Sequence, residues 1–462
     1  MSNYRLISGA LAAAALLPSS FAFGAAFSLL EQSGGNLGTA FSGTGAVADD
    51  VAAIYFNPAA LATLERPQVA ASVSAIDLTT RFHDSASAAA FGQALGNEGG
   101  NAGGWNWVPA VYAGARIAPD VYAGLAVNAP FGLKTNYDGN WIGRFQALKS
   151  EVKTLNVNPA LAFRLGPHVT FAAGVDYQHL QAELGSAVNY SAVVAQGVQQ
   201  LAIAGQLPPS AAPGIIAANA GLQGQSTVRG DDSAWGYNLG LLLELPTNTR
   251  IGLAYRSTIT YHVEGDVTFT APTASQPTGG AIIAAAGAPG GPLSAGSTRL
   301  DLKMPDSATL SLAQSLTSQL QLLADVAWTG WNSIQEIRIV RDTAAVVAVT
   351  PERWKETWRF ALGADYQLNP QWKLRGGVAW DASPVPNETR TPRLPDNDRT
   401  WVAIGTQWRP LTAVAVDLSY AHLFARAAAL NQAESNPAAY GLLLGEQQSH
   451  VDIVGLQASY RF

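Results

Sequence analysis

The last strand of the chain runs to its final residue. Val454, Leu456, Ala458, Tyr460 and Phe462 fall on one face; Gly455, Gln457, Ser459 and Arg461 fall on the other. A half-apolar strand with no tail to cover its edge would template aggregation in water, unless that edge pairs and closes a barrel. The opposite end of the chain narrows the compartment. Arg5 opens a short positive region, Leu6 to Leu17 form an apolar stretch, and Ala22-Phe23-Gly24 is a small-x-small cleavage site. This pattern predicts a secretory signal peptide over residues 1–24, too short to span a membrane. The two ends together predict an exported, multi-pass barrel of the bacterial outer membrane.

Composition points the same way. Charged residues are 13% of the 462, about half the share usual in soluble proteins. After residue 24 there is no apolar run of about 18 or more, so no spanning helix is available. Apolar residues spread over every second position are the mark of a transmembrane barrel. The chain has no cysteine, which removes disulfides and thiolate metal sites. His83, His168, His179, His262, His422 and His450 are scattered without ligand spacing, so no metal site is read. No Gly-x-Ser-x-Gly elbow is present; the chain is read as a non-enzyme with no catalytic residue and no cofactor. A net charge of −6 leaves no polybasic footprint for nucleic acid.

From Gln68 onward a two-residue period recurs. Over 250–270, Ile251, Leu253, Tyr255, Ile259, Tyr261, Val263, Val267 and Phe269 form an expected lipid face. Arg256, Thr258, Thr260, His262, Glu264 and Asp266 form the wet one. Similar alternation sets Leu320, Leu322, Val326 and Trp328 against Gln321, Asp325 and Thr329, and Trp372, Leu374, Val378 and Trp380 against Lys373, Arg375 and Asp381. Tight turn chemistry falls at 118–120, 166–168, 247–249, 369–371 and 410–412. Long connections fall at 82–104, 187–232, 271–297 and 430–449, the second carrying one or two short helices. The fold class is all-β: a 14-stranded antiparallel transmembrane barrel, with strands starting near 68, 106, 121, 149, 169, 233, 250, 297, 320, 352, 372, 399, 413 and 450.

Residues 25–66 differ. They are Gly/Ala-rich, hold a short helix near 49–54 and the turn Asn57-Pro58-Ala59, and carry Phe27, Leu29, Leu30, Phe41, Ile54, Tyr55 and Phe56, which need burial. A fourteen-stranded barrel leaves a pore that such a segment could plug. The expected organisation is therefore a signal peptide at 1–24, an N-terminal hatch with short helices at 25–66 and a barrel at 67–462. By phase, Arg353, Lys355 and Arg359 point into the lumen opposite Trp354, Trp358 and Phe360, where an anionic head group could pair.

These residues resemble the outer-membrane long-chain fatty acid transporters of the FadL type, a family that includes aromatic hydrocarbon uptake channels. The resemblance covers the whole mature chain. It rests on Ala25-Ala26-Phe27, the Gly38–Asp50 stretch with Gly43, Gly45, Asp49 and Asp50, and Asn57-Pro58-Ala59. Leu253-x-Tyr255-Arg256-Ser257, Trp328-x-x-Trp331, Ser383-Pro384-Val385-Pro386 and Pro395-Asp396-x-Asp398-Arg399-x-Trp401 extend it. It implies a monomeric barrel in outer-membrane lipid that takes up a long-chain fatty acid or another hydrophobic small molecule passively. Substrate would enter an inner pocket and leave through a lateral opening at a kinked third strand, where Asn128-Ala129-Pro130-Phe131-Gly132 sits. Proline removes a ladder donor and glycine permits the bend, so the local chemistry agrees. Asn57, Pro58 and Ala59 would form the hatch turn; Asn128, Pro130, Phe131 and Gly132 the lateral gate. Lys355 matches the family's pocket lysine, and Arg359, Arg353 and Phe27 complete the expected substrate contacts. The strand that supplies a pocket arginine in the family reads Gln178-His179-Leu180-Gln181-Ala182 here, which leaves fatty acid against uncharged hydrocarbon open. An outer-membrane lipid hydrolase is the rival from another class. It requires Ser, His and a carboxylate or carboxamide to converge on the outer face.

Overall fold

The computed structural model describes residues 26–47, 49–433 and 436–462; the expected signal peptide lies outside them. Fourteen antiparallel strands among the described residues close into a barrel. They are β1 (Gln68–Asp84), β2 (Gly104–Ala118), β3 in two pieces (Val121–Asn128, Gly132–Asn136), β4 (Lys149–Leu165) and β5 (Val169–Asn189). Next come β6 (Gln223–Leu245), β7 (Thr249–Arg256, Ile259–Thr270), β8 (Gly296–Met304, Ser307–Ser315) and β9 (Leu320–Thr329, Glu336–Arg341). The circuit ends with β10 (Val346–Pro351, Thr357–Asn369), β11 (Trp372–Asp381), β12 (Arg399–Leu411), β13 (Val414–Ala425, Ala428–Ala433) and β14 (Leu442–Arg461). The closing pair is the terminal strand: Tyr460 lies opposite both Val69 and Val414, and Phe462 N–H donates to Pro67 O at 3.0 Å.

The five tight turns stand where turn chemistry put them, with Asp120, Gly166 and Asn248 in the left-handed region. Three strands start earlier than the sequence suggested: β6 at Gln223, β10 at Val346 and β14 at Leu442. The second long connection carries α-helices at Tyr190–Ile203 and Ala212–Ala218. Outward positions such as Leu253, Leu312, Leu322, Trp358, Phe360, Leu418 and Leu456 are exposed, a surface suited to lipid and costly in water.

The expected lipid face of 250–270 does not run through. Leu253 is exposed, yet Ile259, Tyr261, Val263 and Val267 are buried while Thr260, His262 and Glu264 are exposed. The cause is a bulge. Tyr237 N–H donates to Ser257 Oγ and accepts Ser257 N–H on its carbonyl, both at 2.9 Å. One extra residue of β7 thus stands between the pairs Asn238↔Arg256 and Gly230↔Gly265, and one residue is enough to invert every face beyond it. Tyr261 therefore faces the interior and not lipid. The inversion turns an apolar face into the barrel, beside Leu302 and Met304 of β8.

Residues 26–47 and 49–64 pack on the inside of the wall through short helices at Gly34–Leu37 and Ala53–Phe56 and a 3-10 turn at Pro58–Thr63. They lie so close to the strands that a Cβ on Gly252 would stand 2.0 Å from Gly45 O, and one on Gly377 would stand 2.1 Å from Thr39 O. Any side chain there would push the segment off its seat.

Candidate functional site: an apolar chamber beside a broken strand

β3 breaks at Ala129-Pro130-Phe131. Its first piece pairs with both neighbours, but among the described residues its second piece pairs with β4 alone, and no ladder joins it to residues 104–110 of β2. The N-terminal segment supplies what the break lacks. Leu29 N–H donates to Pro130 O and Gly132 N–H to Phe27 O, each at 2.8 Å. The Gln32 side chain donates to Ala129 O at 2.7 Å and accepts Ala129 N–H at 3.2 Å. Thr154 closes the far side, accepting Phe131 N–H at 2.9 Å and donating to Phe131 O at 2.8 Å. The backbone that proline leaves unpaired is thus satisfied mainly by a separate segment.

Phe27, on that segment, sits in a nest of rings: its centroid is 5.0 Å from Trp331, 5.6 Å from Trp354 and 5.9 Å from Phe131, and the two tryptophans are 5.4 Å apart. Ala26 N–H donates to Asp396 Oδ2 at 3.0 Å, which holds the start of the segment against the 382–398 connection. Beside the nest lies a cavity of about 120 Å³, lined among others by Phe41, Pro58, Pro130, Phe131, Arg256 and Arg359. Arg256 is matched by Asp176. Arg359 is 7% exposed and donates to Ala40 O; its Nε has no partner and no carboxylate among the described residues closes on it as an ion pair. A buried guanidinium with spare donors facing a cavity is suited to receive an anion.

Several predicted residues thus converge: Phe27, Pro58, Pro130, Phe131 and Arg359 share the chamber and cavity. Asn57 makes the expected turn, accepting Ala59 N–H at 3.0 Å and donating to Gly45 O and Leu241 O at 2.8 and 3.1 Å. Asn128 faces inward at the foot of the break. Arg353 and Lys355 do not join them; both are exposed, and the expected phase through 353–359 is corrected here. Arg353 takes φ 51°, and both Glu352 and Arg353 donate their N–H to Gln335 O. That kink turns Trp354 into the nest, and the alternation resumes with Arg359 inward.

Sequence reasoning also missed an ionic latch. Lys373 Nζ lies 2.7 Å from both Asp49 oxygens and 3.4 Å from Asp365. Arg375 reaches Asp49 at 2.8 Å and also pairs with Asp417. Next to it, Gln457 donates to Asp50 at 2.6 Å. The signal was present as two adjacent acids in the hatch and two cations at alternate, inward positions of β11. Burial pushes Asp49 up, but the Lys373 and Arg375 charges outweigh it and hold the carboxyl far below its usual range.

Two other hatch carboxyls move the opposite way. Burial raises Glu31 from 4.5 to about 7, and neither of its oxygens has a hydrogen-bond partner among the described residues, although Arg399, Asp381 and Arg359 lie around it. Burial, helped by the Asp417 charge, raises Asp50 from 3.8 to about 7. At these two groups the seated hatch therefore holds more protons than a displaced one. Their contribution to seating is full below the ordinary carboxylate range and weakens as pH rises to about 7, by about 3 kcal/mol for Glu31 alone, whereas the Asp49 contribution is present above that range and is lost as pH falls below it. Channel recordings between pH 4 and 8 should show more frequent openings toward the alkaline side. Glu31→Gln should flatten that dependence, and an unchanged slope would contradict it.

A closed fourteen-stranded barrel with an apolar outer surface, an internal plug and a hydrophobic chamber defines an outer-membrane transport barrel. The chain belongs to the outer membrane protein transport protein family (OMPP1/FadL/TodX), whose model matches residues 15–462. Among similar curated proteins, the long-chain fatty acid transport protein of Escherichia coli O6:H1 is 28% identical over 454 residues, 98% of each chain. The 47 kDa outer membrane protein of Pasteurella multocida is 28% identical over 98% of this chain and 97% of its own. Among solved structures, a Pseudomonas aeruginosa FadL homologue superposes with a TM-score of 0.82 at 24% identity, covering 95% of this chain and all of the other. The Pseudomonas putida toluene transporter TodX superposes at 0.65 and 17% identity, over 95% and 100%. Both likenesses are of fold. The protein is an outer-membrane β-barrel of a transport family.

Proposed function

We propose that the chain carries long-chain fatty acids or related hydrophobic compounds across the outer membrane passively, and releases them sideways through the wall at the β3 break. The observation that carries this reading is the double role of residues 27–32. Phe27 fills the aromatic nest, and the backbone around it stands in for the ladder missing at Pro130. Displacing the segment would vacate the nest and unseal the break in one movement. The rest of the hatch is tied down by the Asp49 latch, so the short segment moves and the plug stays.

The driving force is the partition of the substrate itself, about 0.8 kcal/mol for each methylene withdrawn from water. The barrel closes on itself, so a monomer bedded in outer-membrane lipid suffices, with no chemical step. Relatives named as long-chain fatty acid transport proteins support an acid as the cargo. A carboxylate entering this apolar space loses hydration and needs a charged partner, and Arg359 is placed to be that partner. Arg359→Gln should weaken fatty acid binding by roughly 1.5–3 kcal/mol, the worth of one charge-assisted hydrogen bond, and leave binding of the matching alkane unchanged. Lys355→Ala should affect neither ligand. Paired titrations of both ligands on both variants check this; loss of fatty acid binding in Lys355→Ala alone would return the head group to the lysine that the resemblance implies.

A further inference from the structure

The 382–398 connection folds into the barrel, where Val385 and Leu394 join the apolar cluster around Phe27. It grips both halves of the seal. Thr135 of the outer piece of β3 and Tyr137 just beyond it donate to Arg393 O at 3.2 Å and to Pro392 O at 2.8 Å. Asp396 takes the other half: its Oδ2 accepts Ala26 N–H at 3.0 Å and the Ser383 hydroxyl at 2.7 Å. The Asp396 backbone is fixed in turn by Arg390, whose Nε donates to its carbonyl at 2.8 Å.

One cation serves two buried carboxylates here. Asp381 and Asp396 are 3% and 8% exposed, and Arg399 Nη2 lies 3.6 Å from Asp381 Oδ2 and 3.4 Å from Asp396 Oδ1. Among the described residues no second cation forms an ion pair with either, and Asp381 Oδ2 has no hydrogen-bond partner. Carboxylates taken out of water need paired charge, so the site has room for a further cation.

The sequence supplies one. Cleavage expected after Gly24 makes Ala25 the first residue of the exported chain, and with it creates an α-ammonium that the precursor lacks at this position. Ala25 lies outside the described residues, yet covalent geometry bounds its nitrogen. Three bonds join it to Ala26 N, a span of about 4 Å at most, which keeps it within about 7 Å of Asp396 Oδ2. Ala26 itself takes φ 51°, a turn uncommon for a residue with a side chain. Phe27 beyond it is held in the ring nest. The start of the mature chain is thus delivered to the carboxylate.

We propose that the amino terminus made by signal-peptide removal is the second counter-charge: its ammonium pairs with Asp396 and pins residues 25–32 across the β3 break. Processing then does more than free the chain from its signal. It sets the strength of the seal, because an uncleaved or extended chain carries no charge at this place. The inference concerns how the seal is held and stands whatever the cargo is.

The chain has no cysteine, so Ser28→Cys gives a single reporter on the segment, half-buried beside Pro130 and Phe131 in the cavity lining. Its labelling by a soluble maleimide is followed on the purified, folded barrel in four forms. These are the otherwise intact chain, one with a glycine inserted between Gly24 and Ala25, one with Asp396→Asn, and one with both changes. Intact mass fixes the first residue of each. The intact form should start at Ala25 and label slowly. The insertion leaves every barrel residue in place and moves the ammonium one residue away. It should speed labelling about tenfold, between the effects of an exposed and of a buried ion pair. Asp396→Asn keeps an oxygen for Ala26 and Ser383 but loses the charge, and should give a similar rise. Both changes break the same pair, so the double form should label no faster than the faster single one. Should Asp396→Asn misfold, acetylation of the α-amine of the intact form replaces it, with the same rise expected. A mature chain that starts elsewhere than Ala25, labelling unchanged by the insertion or by acetylation, or rises that multiply in the double form would overturn the proposal.

Discussion

Replacing Pro130 and Gly132 together with valine is expected to abolish uptake of hydrophobic substrate almost completely while the barrel still reaches the membrane. Proline cannot donate to a ladder, and Pro130 sits between the two pieces of β3, where the outer piece has lost its β2 partner. Valine at 130 returns an N–H, and two β-branched residues favour a straight, extended strand. The second piece of β3 would then be drawn toward residues 104–110 of β2, which among the described residues have a ladder partner on their β1 side only. The wall would close whether or not residues 27–32 are in place. Surface expression and heat-modifiable mobility report folding, and labelled oleate reports uptake. Wild-type uptake by a straightened barrel would mean that substrate leaves another way, downward past the hatch.

The second large effect is expected at the latch. Asp49→Ala leaves Lys373 and Arg375 buried with one carboxylate fewer, and breaking a buried ion pair from one side costs about 3–5 kcal/mol. Asp365 and Asp417 remain as partial partners, so the loss should fall toward the lower end of that range. It should appear as loosening of the hatch, with raised conductance and leakage of small hydrophilic solutes, because no barrel ladder passes through Asp49. Adding Lys373→Met to Asp49→Ala removes the stranded cation and should recover part of the loss, which a double-mutant cycle would resolve. Conductance equal to wild type in Asp49→Ala would deny the latch its role.

The barrel was legible because its period is short and repeated. Lys373 and Arg375 against Trp372 and Leu374, or Asp417 against Leu418, reveal inward and outward faces within a few residues, and the terminal strand called for a closing partner. The chamber was less legible for a matching reason: a single extra residue inverts a two-residue period. Ser257 does this in β7, and Arg353 with its positive φ does it before Thr357. Tyr261, Val263 and Trp354 therefore turned inward from positions that alternation had set facing lipid. Other features had no local signature at all. Asp49 meets Lys373 across 324 residues, and Leu29 meets Pro130 across the hatch boundary. Such contacts follow only once the plug is seated.

The central claim, passive uptake of hydrophobic molecules through a plugged barrel, is tested most directly in one pair of rates. A strain lacking its own fatty acid uptake channel is supplied with this protein, and accumulation of labelled oleate is measured beside that of labelled sucrose. The account predicts that the protein restores oleate accumulation, that an inner-membrane uncoupler leaves transfer across the outer membrane unchanged, and that sucrose permeability stays at the level of the empty strain. Raised sucrose permeability with no gain in oleate would contradict it and make the barrel an open hydrophilic pore.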